Sequence, residues 1–151
     1  DEQIALGAVK YSFLKQRLGA DIIYNPEDSV SLHGSSGPYL QYSLVRAKSI
    51  LRRVGDLRSE EENFEYLPEE RTIVRKISHY PKVIDNATIE LLPSHLCSYL
   101  QELAQEFNRF YENNRIVDDP REAIRIEILS AYSNVLSDGL DILGITSPES
   151  M

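Results

Sequence analysis

The run Leu96-Cys97-Ser98-Tyr99-Leu100-Gln101-Glu102-Leu103-Ala104-Gln105-Glu106-Phe107-Asn108-Arg109-Phe110-Tyr111 decides the fold class. Within it Leu96, Leu100, Leu103, Phe107 and Tyr111 recur at spacings of three and four. An α-helix carries residues so spaced on one face, so the run reads as a long, core-facing helix. A second run keeps the same period. Ile124, Ile128, Ala131, Val135 and Ile142 form its stripe, and Leu129, Tyr132, Leu136, Leu140 and Leu143 widen it. No stretch sustains the period-two alternation of a half-buried strand. The expected fold class is all-α.

Working outward from these runs, proline supplies the punctuation. Pro38, Pro68, Pro81, Pro93 and Pro120 each head a helical pattern, where the missing N–H would be unpaired in any case. The patterns predict helices over 2–18, 38–55, 68–78, 81–92, 93–115 and 120–143, with a short helical turn between Pro26 and Leu32. Short connections favour antiparallel neighbours, hence a bundle of about six helices. The Glu-rich connection 55–66 is the longest and reads as a mobile acidic loop.

The 151 residues suit a single domain. Cys97 is the only cysteine, which excludes an intrachain disulfide and fits a reducing, cytoplasmic compartment. No apolar run approaches the roughly 18 residues of a membrane span. No signal-peptide pattern opens the chain. It begins without Met inside a helical pattern, so it reads as a piece of a longer protein.

The net charge of −8 argues against a polyanion partner. Its distribution weakens that argument. Arg46, Lys48, Arg52, Arg53 and Arg58 crowd one stretch, opposed there only by Asp56, while acids gather at Glu60-Glu61-Glu62 and Asp118-Asp119. Beyond a Debye length of about 8 Å charges are largely screened, so the local patch outweighs the sum.

Catalytic constellations are sparse. His33, His79 and His95 fall on three elements. His95 and Cys97, two apart on a helix, diverge and make a poor metal pair. Glu102 and Glu106 share a face that reads as solvated. Gly34-Ser35-Ser36-Gly37 precedes a helix and could offer amides to a phosphate, but it lacks the Lys and spacing of a Walker loop.

The helix from Pro38 is two-sided. At about 100° per residue, Leu40, Leu44, Ala47, Leu51 and Val54 form one stripe, and Tyr39, Tyr42, Arg46, Ser49 and Arg53 form another. Aromatic rings stack on unpaired bases, and guanidinium groups hold phosphates. The same tyrosines could instead pack on a neighbouring helix with their hydroxyls hydrogen-bonded. Spacing alone leaves both possibilities open.

Gly37-Pro38-Tyr39-Leu40-Gln41-Tyr42, followed by Arg46, resembles the Gly-Pro-Tyr-(Leu/Ile)-Gln-Tyr segment of arginyl-tRNA synthetases. Four further blocks in the same order extend the resemblance over nearly the whole chain. Gly7-Ala8-Val9-Lys10-Tyr11 is similar to the run that leaves the family's catalytic domain. Tyr99-Leu100 with Leu103-Ala104, then Phe107-Asn108-Arg109-Phe110-Tyr111, resembles its penultimate long helix. Gly139-Leu140-Asp141-Ile142-Leu143-Gly144-Ile145 and Pro148-Glu149-Ser150-Met151 resemble its C-terminus.

The resemblance implies a helical anticodon-binding domain that clamps the anticodon loop of arginine tRNA. The segment 1–20 would join it to a catalytic domain that ligates arginine to tRNA with ATP and Mg2+. On that basis Tyr39 and Tyr42 contact splayed bases, Arg46 holds backbone or base, and Tyr111 adds an aromatic contact, with Arg53 of the same helical stripe a further candidate for the anticodon loop. Met151 closes on the loop, and Asn108 supports the surface. No DNA or membrane partner is implied, and a monomer is expected.

The family's His-x-Gly-His and Lys-Met-Ser-Lys-Ser-like signatures are absent, so this chain alone is expected neither to bind ATP nor to charge tRNA. Ser35-Ser36 stand where Asn-Thr is common, Ser150 where Arg is frequent, and Arg125-Ile126 where Arg-Leu is usual. The first departure questions the hydrogen bonding of the loop, the second a contact at the tail. Two alternatives stand beside this assignment: a helical protein-interaction module, and the equivalent domain of a cysteinyl-tRNA synthetase.

Overall fold

The computed structural model describes residues 2–55 and 64–151. Its helices are α1 Glu2–Leu14, α2 Pro26–Ser29, α3 Gly37–Val54, α4 Pro68–Ser78, α5 Tyr80–Glu90, α6 Pro93–Asn113 and α7 Glu122–Ile142. No strand occurs among the described residues, so the fold is all-α as expected. Most of the 55–66 loop, with Asp56, Arg58 and Glu60-Glu61-Glu62, lies outside the described residues.

Pro68 and Pro93 open their helices, while Pro38 and Pro81 stand second, after Gly37 and Tyr80. Pro120 departs from expectation. The Asp119 carbonyl accepts from Glu122 N at 2.9 Å, and Asp119 Oδ1 accepts from Arg121 N at 2.9 Å. Pro120 therefore sits second in a β-turn, where its fixed φ also fits, and α7 starts two residues later. α1 stops at Leu14, short of the expected 18, because Leu18 finds no core to cover it and Gly19 turns left-handed at φ 82°.

α3 packs on α1 and α7, α6 packs on α4 and α5, and α4 also meets α7. The centre is filled by Leu40, Leu44 and Ala47 of α3, Leu100, Leu103 and Phe107 of α6, and Leu129, Tyr132 and Leu136 of α7. Two stripes shift from their expected registers. On α7 the widening residues Leu129, Tyr132, Leu136 and Leu140 face inward, while Ile142 is 57% exposed. The bulkier set takes the centre because it buries more apolar surface. On α3 the stripe ends at buried Ile50, leaving Leu51 and Val54 partly covered.

α1 and α3 approach closely enough to require glycine. A Cβ on Gly37 would lie 2.2 Å from the Gly7 carbonyl oxygen. This contact fixes where α3 begins.

Between α4 and α7 lies a buried ion cluster. Glu70 is fully buried and takes Arg121 on both carboxylate oxygens, Nε at 2.7 Å and Nη2 at 2.6 Å. Arg125 Nε adds a bond at 3.1 Å, and Leu67 N donates at 3.0 Å. Burial pushes the Glu70 carboxyl up, but the Arg121, Leu67 and Arg125 bonds outweigh it and hold the group below its ordinary value of 4.5.

Candidate nucleic-acid interface

The loop before α3 supplies its own capping. Ser36 is extended, and its Oγ accepts from Tyr39 N at 3.1 Å while donating to the Ser31 carbonyl. The Ser35 carbonyl accepts from Lys15 at 3.0 Å, and the Gly34 carbonyl from Gln101 Nε2 at 2.7 Å. Ser36 thus caps the helix through its side chain, and the Ser35 hydroxyl lies 3.2 Å from that of Tyr11. Ser36 also occupies the Tyr39 amide, which a phosphate cradle would need.

Gln41 is the buried amide of α3. Its Nε2 donates to the Gln3 carbonyl at 3.0 Å and the Thr146 carbonyl at 2.7 Å. Helix, N-terminal segment and C-terminal tail therefore meet on one side chain. Further along, Arg52 Nη2 donates to the Glu149 carbonyl at 3.4 Å, so the tail follows α3.

On the adjoining face the two tyrosines separate. Tyr42 is exposed (39%), whereas Tyr39 is half-buried against the core. Asn108 Nδ2 of α6 donates to the Tyr39 hydroxyl at 2.6 Å. Burial raises the Tyr39 phenol above its ordinary 10.0, although the Asn108 bond and the nearby Ser43 hydroxyl act the other way. The two tyrosines of the stripe thus differ: Tyr39 packs on a neighbouring helix with its hydroxyl hydrogen-bonded, and Tyr42 faces solvent.

The same seam joins Arg46 to Tyr111. The Arg46 guanidinium lies 4.2 Å from the Tyr111 ring centroid, a cation–π contact. Tyr111 lies 6.2 Å from the Phe107 ring, and Phe107 stacks on Tyr132 at 4.1 Å and 14°. A ladder of planar groups thus runs from the surface into the core. Ser43 Oγ and the Tyr132 hydroxyl, both buried, make no hydrogen bond of normal geometry. Ser43 follows Tyr39 by one turn, a spacing that could have flagged it in the sequence.

Tyr39, Asn108, Arg46 and Tyr111 are brought together. Tyr42 and Arg53 share α3 with them, and Met151 (42% exposed) ends the tail beside that helix. No hydrogen bond or ring contact joins Tyr42 or Met151 to the quartet among the described residues. Arg53 lines a cavity of about 390 Å³ together with Ile50, Val54, Tyr111, Val117 and Glu122. Of these, only Arg53 and Tyr111 are candidates from the sequence. Val117 and Glu122 sit too far along the chain for helical spacing to group them with α3.

Elsewhere the acids and histidines are in ordinary roles. His95 Nε2 meets Glu90 Oε2 at 2.7 Å. Glu102 pairs with Lys76, and Glu106 with Arg109 at 3.0 Å. Cys97 is buried, and burial pushes its thiol up to about 12. Among the described residues no three His, Cys, Asp or Glu side chains cluster to hold a metal. No helix among them is long and apolar enough to cross a membrane.

Three comparisons bear on this seam. The family model described as "DALR anticodon binding domain" matches residues 40–151. The chain is similar to the arginine–tRNA ligase of Alkaliphilus oremlandii, 30% identical over 99% of this chain and 26% of that protein. The arginine–tRNA ligase of Ligilactobacillus salivarius is 34% identical over 99% of this chain and 27% of its own length. The solved Thermus thermophilus arginyl-tRNA synthetase superposes with a TM-score of 0.91 at 30% identity, over 99% of this chain and 27% of that one. The chain thus spans about a quarter of the length of the relatives it matches.

Proposed function

This chain belongs to the DALR anticodon binding domain family, and from that premise we propose that it recognises the anticodon loop of arginine tRNA as part of an arginine–tRNA ligase. The observation that carries the proposal is the α3–α6 seam, where Arg46 over Tyr111 and Asn108 stand within the matched residues and Tyr39, bonded to Asn108, immediately precedes them. An exposed tyrosine, a stacked guanidinium and further arginines on one helix suit unpaired bases and their phosphates. The names of the relatives favour arginine over the cysteinyl alternative.

On this reading Tyr42 offers its ring to a base, and Tyr39 offers its hydroxyl and the exposed part of its ring. Arg46 extends the Tyr111 stack and holds a phosphate, Arg53 holds another, and Asn108 orients Tyr39. Met151 closes the tail side. Ligation with ATP and Mg2+ belongs to a catalytic domain outside these 151 residues, and the enzyme works in the cytoplasm as a monomer.

The test is binding of the chain to arginine tRNA and to the same tRNA with a changed anticodon. Preference for the first supports the proposal, and equal affinity overturns it. Within the binding series, Arg46→Ala lowers the slope of log affinity against log salt by roughly 0.7–0.9, one phosphate's worth. An unchanged slope removes Arg46 from phosphate contact.

A further inference from the structure

We propose that Gln41 is a positioning residue for the C-terminal tail, and that contacts from residues 149–151 to RNA depend on its side-chain amide. The proposal rests on the anticodon-loop reading and adds the side chain that sets the tail in place.

The tail leaves α7 through Gly144, which is left-handed at φ 68°, and runs to Met151 outside any helix. Ile145 and Pro148 are buried, whereas Glu149, Ser150 and Met151 are exposed. It is held by its backbone. Lys10 Nζ donates to the Gly144 carbonyl, Gln41 Nε2 to the Thr146 carbonyl at 2.7 Å, and Arg52 Nη2 to the Glu149 carbonyl at 3.4 Å. Lys10 and Arg52 are exposed, so water competes for both of their bonds. Gln41 is fully buried, and a hydrogen bond shielded from water holds its partner more firmly.

Two features of the Gln41 amide point to placement as its role. First, both hydrogens of Nε2 are used, one on Thr146 and one on the Gln3 carbonyl at 3.0 Å. Two donors on one uncharged side-chain nitrogen occur only in an amide. The start of α1 and the tail are therefore registered against a single atom of α3. Second, Oε1 is buried without a hydrogen bond. An unmade bond in the interior is destabilising, and an apolar side chain of the same length would avoid it. The amide thus contributes through the carbonyls it holds. Its neighbour Tyr42 faces solvent, so one turn of α3 both presents a ring and sets where the tail passes it. Gly7 leaves the amide its space: a Cβ there would lie 2.6 Å from Nε2 and 2.7 Å from Oε1.

The experiment uses the 151-residue chain, a spin label on Ser150→Cys, and an RNA hairpin with the anticodon-arm sequence of an arginine tRNA. Cys97 is buried, which leaves the label to the tail. Gln41→Met keeps the length and apolar packing but has no donor. It makes the label more mobile and weakens the hairpin on the order of tenfold, the scale of one lost contact to a base. In a chain that ends at Pro148, the same substitution leaves hairpin affinity unchanged. Gly7→Ala pushes the amide off its carbonyls without touching the tail, and it reproduces both results. A label that stays as ordered in Gln41→Met as in the parent overturns the proposal. So does an equal loss of affinity in the full and shortened chains, since Gln41 then serves only the helix. A parent chain that binds the hairpin no better than a scrambled one overturns the anticodon reading, while the label still reports whether Gln41 holds the tail.

Discussion

Two polar assemblies bridge helices in this bundle, and they solve opposite problems. Between α4 and α7, Glu70 is fully buried and met by Arg121, Arg125 and the Leu67 amide. Between α3 and α6, Tyr39, Asn108, Arg46 and Tyr111 are only partly covered, and each contact is single. The first assembly spends its charges on one another. The second leaves an arginine face and an aromatic edge able to take a ligand. Completeness of pairing, more than charge, separates a structural cluster from a candidate binding surface.

The largest test of that contrast is Glu70→Ala. It removes the buried carboxylate that Arg121 and Arg125 share, and should cost about 3–5 kcal/mol in denaturant unfolding. RNA affinity measured on the remaining folded fraction should change little, because the cluster makes no bond to Tyr39, Arg46 or Tyr111. A loss below about 1 kcal/mol breaks the comparison, since the cluster would then be no better paired than a surface pair.

Acid probes the same group. Because the folded Glu70 carboxyl titrates below its ordinary 4.5, its stabilisation is complete above that value and is lost as pH falls through the folded value. Unfolding free energy should decline over this acid range in the parent chain. In Glu70→Gln the decline should be shallower.

Next comes Tyr132→Phe. The hydroxyl is buried without a hydrogen bond of normal geometry, so its removal should stabilise by about 1 kcal/mol, read as a higher melting temperature. A destabilisation of similar size would instead reveal that the hydroxyl supports Tyr39 through Ser43. The smallest effect on folding belongs to Arg46→Ala, about 0.5–1 kcal/mol for its cation–π contact. Its larger effect should appear in RNA binding. If it unfolds the domain as severely as Glu70→Ala, the α3–α6 seam is a structural cluster too.

The helices were legible because apolar spacing and proline act locally. Leu96, Leu100, Leu103 and Phe107 are all buried, as their period requires. The register on α7 was harder, because Ile128 and Leu129 are both apolar and only tertiary packing ranks them. The Glu70–Arg125 bond spans 55 residues. An arginine between Ile124 and Ile126 hinted at burial, but nothing local names its partner. At the candidate site, periodicity grouped Tyr39, Tyr42, Arg46 and Arg53, whereas Asn108 and Tyr111 came from family resemblance. That Tyr39 is packed while Tyr42 is open depends on where α6 lies, which spacing on α3 cannot report.

The Gln41 side chain has a thermodynamic consequence. It ties α3 to Gln3 and Thr146, and Gly37 seats the same helix against Gly7. The α3 surface proposed to meet RNA is therefore a stiff template before any ligand arrives. Little backbone freedom remains for α3 to surrender on association, so the entropy lost on ordering falls chiefly on the nucleotides.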